Sequence, residues 1–158
     1  MDDVATDFGS GNRLKTAREV HEGGYVLSTD KNRLDIEKIH GFLKRSYWAS
    51  SRTRKVLEKS IEKSCCLGIY ERHTWLQVGF ARIITDYATF GYLCDMFIDE
   101  AHRNIGLAKW MLSVIMRDPE LMTLRRLLLA TQDAHGLYRQ FGFEMVDADR
   151  FMEFRAKK

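Results

Sequence analysis

Three apolar, β-rich segments follow one another between residues 65 and 98 with no room for a helix between them, and this limits the fold more than any other feature. They span 65–70, 75–84 and 90–98. The polar turn Glu71-Arg72-His73 separates the first two, and Asp86-Tyr87-Ala88-Thr89 separates the second two. Links that short join antiparallel neighbours, because a parallel partner needs a crossover of a dozen or more residues. A crossover does come next. Helical spacing runs from about Ile105 to Met116, and 127–131 reads as a further strand, so one parallel pair is expected.

The flanks complete the pattern. Residues 25–29 read as a short strand, with Asp30 as a helix-cap candidate. Leu34, Ile36, Ile39, Phe42 and Leu43 recur at helical spacing, predicting an amphipathic helix over about 33–45. A second helix is predicted over 53–63, with Val56, Leu57 and Ile61 turned inward. Pro119 reads as a helix stop, 136–141 as a short helix and 152–155 as a final strand. The expected order is β-α-α-β-β-β-α-β-α-β. It gives an α+β fold, a mixed, mostly antiparallel twisted sheet with helices on both faces. Residues 1–24 are polar, contain Gly9-Ser10-Gly11-Asn12 and end in Gly23-Gly24, so they read as a flexible arm ahead of a domain over 25–158.

Composition narrows the class. At 158 residues the chain makes one domain with a full core, and 45% hydrophobic with 30% charged residues suits a soluble protein. No run approaches the roughly 18 apolar residues that span a bilayer. The opening Met1-Asp2-Asp3-Val4 lacks a secretory layout, so a cytoplasmic location is expected. Cys65, Cys66 and Cys94 read as buried reduced thiols, and no histidine, cysteine or carboxylate set has metal-ligand spacing. A net charge of +3 without a basic stretch leaves no footprint for nucleic acid.

Chemistry concentrates where the third long strand meets the next helix. After 93–98 come Asp99-Glu100-Ala101-His102-Arg103-Asn104-Ile105-Gly106-Leu107-Ala108-Lys109. A helix N-terminus offers unpaired N–H groups and partial positive charge to an anion. Gly106 removes a side chain where an anion approaches the backbone, Ala108 nearly does so, and Arg103 and Lys109 add charge. An ordinary helix start with Gly106 for close packing fits the same residues. The absence of GxxxxGK[ST] and of a full GxGxxG excludes a P-loop and argues against a dinucleotide site.

Arg103-x-x-Gly106-x-Ala108 resembles the [QR]-x-x-G-x-[GA] signature of the GNAT superfamily of N-acetyltransferases. The resemblance implies that the loop from Arg103 through Asn104, Gly106, Leu107 and Ala108 to Lys109 wraps the pyrophosphate of acetyl-CoA. It implies too that the strand matching 95–98, with Phe97 and Ile98, pairs with the pantetheine arm. Asn104 stands where many members have glycine. Ala134-x-x-x-Tyr138-x-x-Phe141-Gly142-Phe143 is similar to the second signature, whose tyrosine is often the general acid, and Thr131 stands where many members have asparagine.

The resemblance thus implies acetyl transfer to a primary amine by direct attack in a ternary complex, on a small-molecule or peptide acceptor. A homodimer is implied in the same way. The residues agree with that chemistry. A phenol near pKa ~10 can protonate a departing thiolate near ~8.5, and backbone N–H groups at Phe97 or Ile98 can donate to an oxyanion if the strand is splayed. Asp95, in the strand beside the thioester, is the candidate base, with Asp86, Asp133 and a water relay as rivals, and a carboxylate at such a position equally suits a loop cap or a partner for an arginine. Tyr47 and Trp48 suit either an acceptor pocket or core closure, and His102 and His135 lie near the two signatures. A GNAT-fold sensor that binds CoA without catalysis, and a transferase for a larger acyl-CoA, are the alternatives.

Overall fold

The computed structural model describes residues 17–156. Six strands form one sheet in sequence order. They are β1 (Glu19–Glu22), β2 (Tyr25–Ser28), β3 (Cys65–Glu71), β4 (Gln77–Thr85), β5 (Phe90–Ile98) and β6 (Arg126–Leu129). Each pair from β1 to β5 is antiparallel, and β5 and β6 are parallel. The crossover between those two carries α3 (Leu107–Ile115) and the short α4 (Pro119–Met122). The other helices are α1 (Ile36–Arg45), α2 (Arg54–Glu62) and α5 (His135–Arg139).

The sheet is buried on both faces. Ile39 and Leu43 of α1 and Leu57 and Ile61 of α2 pack on Cys66, Phe80 and Phe97. On the other face Trp110, Met111, Leu112 and Ile115 of α3 meet Cys65, Leu67, Ile69 and Leu93. Strand alternation therefore sends the adjacent Cys65 and Cys66 to opposite cores. Both are free and buried, as expected, and burial pushes the Cys66 thiol up to about 12, which leaves it unreactive at neutral pH.

Local chemistry sets the helix starts. Asp35 accepts from Lys38 N at 2.9 Å and caps α1, while Asp30 caps only a 3-10 turn over Lys31–Arg33. Thr53 caps α2 through Val56 N at 3.3 Å. Pro119 follows the end of α3, as expected, and also opens α4, with Asp118 accepting from Glu120 N and Leu121 N. Gly142 takes the left-handed conformation expected after α5, at φ 84.

Four expectations change. Val56, expected to turn inward from α2, is exposed, and only Leu57 and Ile61 of that helix are buried. The arm expected over 1–24 is shorter at its C-terminal end, because Glu19–Glu22 pairs with β2 and Gly23-Gly24 turns the hairpin. The rest of that segment, 1–16, lies outside the described residues. Trp75 stands in a turn at φ 57, so the strand expected from there starts at Gln77. The strand expected over 152–155 does not form. Met152 is 100% exposed and Phe154 92%, so the alternation has neither a strand edge nor a core to bury into. Among the described residues no helix is long and apolar enough to cross a membrane.

Candidate functional site

β5 and β6 part company halfway along β5. Their pairing runs from Phe90↔Arg126 to Leu93↔Leu129, where β6 ends, and β5 continues to Ile98. The far side of β5 therefore has no strand partner from Cys94 onward among the described residues. Asp99 N donates to Val78 O at 2.7 Å, and Phe80 lies opposite Phe97. Antiparallel alternation then turns the Phe97 N–H toward β4 and aims those of Ile98 and Met96 into the opening. Arg103 Nε reaches the outward Ile98 carbonyl at 3.1 Å. Of the two expected pantetheine contacts, Ile98 faces the splay. Phe97 is turned inward, its ring stacked on Phe42 at 3.9 Å between centroids.

The opening leads to the N-terminus of α3. Asn104 and Gly106 both have positive φ, 64 and 90. Asparagine is among the few residues besides glycine that adopt this conformation readily, which explains how it stands at this position of the loop. No side chain caps α3, unlike α1, α2 and α4. Its first internal bond is Trp110 N to Gly106 O at 2.9 Å, so the N–H groups of Leu107, Ala108 and Lys109 have no partner within the helix. A Cβ built on Gly106 would meet nothing within 4 Å, so open space adjoins those donors. Arg103 and Lys109 are exposed around it, whereas the Leu107 side chain is buried beneath. These residues fit a pyrophosphate. His102 instead lies at 3.0 Å from Glu71 of β3.

Tyr138 reaches the same opening from α5. Its hydroxyl donates to Met96 Sδ at 3.7 Å, and its ring meets the edge of Phe143 at 5.7 Å. Burial, then Tyr47 and Asp133, push its phenol up from the usual value near 10. Tyr47 reaches across from the α1–α2 loop, its hydroxyl accepting from Gln132 N at 3.1 Å. Thr131 caps the turn into α5 by accepting from Ala134 N at 3.1 Å. His135 and Tyr138 also line a groove of about 610 Å³. Residues of α4, β6 and 142–146 line it as well, and no β5 residue does.

Asp95 is buried at a bulge in β5, at φ 54, where the register with β4 shifts. A bulge re-aims a side chain, and aspartate tolerates this conformation. Its Oδ2 accepts from Arg82 Nε at 2.9 Å and Arg52 Nη1 at 2.5 Å, and its Oδ1 from Trp48 Nε1 at 3.3 Å. Arg82 Nη1 also donates to Ser64 Oγ at 3.0 Å. Three donors thus occupy the candidate base. Asp86 is likewise occupied, accepting from the Ala88, Thr89 and Phe90 N–H groups and closing the β4–β5 turn. Asp133 is exposed beside Tyr138.

Sequence reasoning missed Arg82 and Met96, and it placed Arg52 in the segment between the first two helices without pairing it with Asp95. The usable signal was Arg82, a lone charge inside an apolar strand, which needs a buried partner. Asp95→Asn is expected to cost about 3 kcal/mol by leaving two guanidinium groups against a neutral side chain. That is a Tm drop of roughly 6–12 °C at this size. A thermal melt within 2 °C of wild type (about 1 kcal/mol or less) would contradict the pairing.

Residues 64–145 match the family model for the Acetyltransferase (GNAT) domain. The chain is 31% identical over 135 residues to the acetyltransferase-family protein FG08082 of Gibberella zeae, across 73% of this chain and 76% of the relative. A GNAT-family protein from Xanthomonas campestris pv. campestris has a crystal structure that superposes with a TM-score of 0.80 at 38% identity, over 86% of this chain and 96% of that one. A Clostridium acetobutylicum structure solved with acetyl-CoA shares the fold at a TM-score of 0.57 and 14% identity, covering 89% and 95%. The matched stretch holds the splayed strand, the uncapped helix and Tyr138, and the chain belongs to the GNAT acetyltransferase family.

Proposed function

We propose that this protein transfers the acetyl group of acetyl-CoA to a primary amine by direct attack in a ternary complex. The observation that carries the reading is one continuous path. It runs from the open edge of β5, beside the Tyr138 hydroxyl, to the uncapped start of α3. Acetyl-CoA supplies an activated thioester. The N–H groups of Leu107, Ala108 and Lys109, with Arg103, hold its pyrophosphate. The outward N–H of Ile98 pairs with the pantetheine arm, and that of Met96 donates to the carbonyl oxygen as negative charge grows there.

The amine adds to the face of the thioester carbonyl, forming the N–C bond and an oxyanion, and as that oxyanion collapses and the C–S bond breaks Tyr138 gives its proton to the sulfur. Phe97 and Leu107 serve through packing and backbone. Asp95 positions the α1–α2 loop by holding Trp48 and Arg52, and the amine proton passes to water.

Counting CoA release and acetylated product across an amine library at several pH values tests the reading. Attack needs the neutral amine, so kcat/KM is expected to rise about tenfold per pH unit below the amine's own pKa. Tyr138 must stay protonated, and burial, which raises its phenol above the usual range, favours that form. A fall in rate between pH 8 and 9 that disappears in Tyr138→Phe would contradict the raised phenol, and an unchanged rate in Tyr138→Phe would contradict the acid role.

A further inference from the structure

The acceptor side of the site holds one positive charge more than the buried carboxylate needs. Arg82, with its side chain 7% exposed, already neutralises Asp95 and spends Nη1 on Ser64. Arg52 adds a second guanidinium on the same Asp95 oxygen, so two cations face one anion among the described residues, a surplus of one. Its side chain is 20% exposed, and its Nε and Nη2 have no partner among the described residues. A purely structural pair would be complete with Arg82 alone.

The surroundings of Arg52 suit recognition. Tyr47 and Trp48, on the same loop, are exposed and meet edge to face at 5.0 Å. The Trp48 indole N–H on Asp95 fixes that loop over the strand, and the His40 ring contacts the Arg52 carbonyl at 2.9 Å. The cluster is also close to the chemistry. Asp95 adjoins Met96, which bears the Tyr138 hydroxyl contact. A guanidinium with a free edge, beside aromatic walls, matches a planar oxyanion through two parallel hydrogen bonds. The same surplus charge repels a polycation.

We infer that the acceptor is a small amine that also carries an oxyanion, a carboxylate or phosphate, which Arg52 clamps while the amine points into the splay. The inference rests on the acetyltransferase reading above. Arg82 stays on Asp95 when Arg52 is changed, so the buried carboxylate keeps a partner.

Matched acceptors test it with the full chain and saturating acetyl-CoA: amino acids against their amides, O-phosphoethanolamine against ethanolamine, and putrescine as a dication. Oxyanion-bearing members are expected to exceed their neutral partners by roughly 10- to 100-fold in kcat/KM, mostly through KM. The carboxylate and phosphate arms show which oxyanion is used. Arg52→Gln should erase that preference and Arg52→Lys retain part of it, since lysine keeps the charge without the fork. Calorimetry with CoA present gives a readout without turnover, in which N-acetylglycine should bind and N-acetylglycinamide should not. Equal or better use of neutral or dicationic amines, equal binding or no binding of the two acetylated probes, or an equal loss for both classes in Arg52→Gln overturns the inference. Failure of wild type to bind acetyl-CoA, measured separately, would instead contradict the acetyltransferase reading.

Discussion

Tyr138→Phe is expected to lower kcat by roughly 10²- to 10³-fold while acetyl-CoA affinity changes by less than about threefold. The substitution removes one oxygen, whose hydrogen bond is a long one to the Met96 sulfur. A weak ground-state contact of this kind adds little to cofactor binding. The ring keeps its packing against Phe143, so the fold is retained. Under the proposed mechanism, what is lost is the proton that reaches the sulfur as the thioester opens. Burial raises the phenol, and the departing thiolate meets the same poorly hydrated surroundings, which strengthens its demand for that proton. Steady-state rates with calorimetry on the same variant separate the two quantities. An equal loss of rate and affinity would assign Tyr138 a binding or packing role, and unchanged acetylation would remove it from the chemistry.

Gly106→Glu is expected to weaken acetyl-CoA binding by more than about 100-fold. Two effects act together. The residue has φ 90, a conformation that costs a side chain about 1 kcal/mol or more. The larger effect is electrostatic, because a carboxylate would occupy the space beside the uncapped N–H groups of α3 and repel a pyrophosphate there. That space is open, so the variant should fold with only a modest drop in Tm. Gly106→Ala separates the effects, since it carries the backbone strain without the charge and should bind far more nearly as wild type does. Normal binding by Gly106→Glu would mean that the pyrophosphate lies elsewhere.

Legibility in the sequence followed how local each determinant was. The hairpins from β3 to β5 and the crossover to β6 were readable because apolar runs and short turns dictate pairing without reference to distant residues. β1 escaped because Glu19-Val20-His21-Glu22 is mostly polar. It stands at the sheet edge with only Val20 partly buried against the core, and Gly23-Gly24 was its one signal. The opposite error occurred over 152–155, where strand-like alternation found no edge. The placement of Gly106 at the start of α3 and of Tyr138 on α5 was legible because each sits in a compact local motif at a helix end.

The Asp95 cluster was not legible in the same way. Arg52 and Arg82 lie 43 and 13 residues from Asp95 in sequence and meet it only through the sheet and the α1–α2 loop. Asp95 was the candidate base through its place in the strand that the resemblance sets beside the thioester. Its partners turn it into an anchor, and one of them, Arg52, into the clamp inferred for the acceptor.

The most direct test of the central claim is a calorimetric titration of the purified protein with acetyl-CoA, with ATP and NAD as controls. The account predicts one site of micromolar affinity, about −8 kcal/mol, for acetyl-CoA and none for either control. No heat with acetyl-CoA, or equal binding of ATP, would contradict the assignment of the splay and the α3 N-terminus to this cofactor.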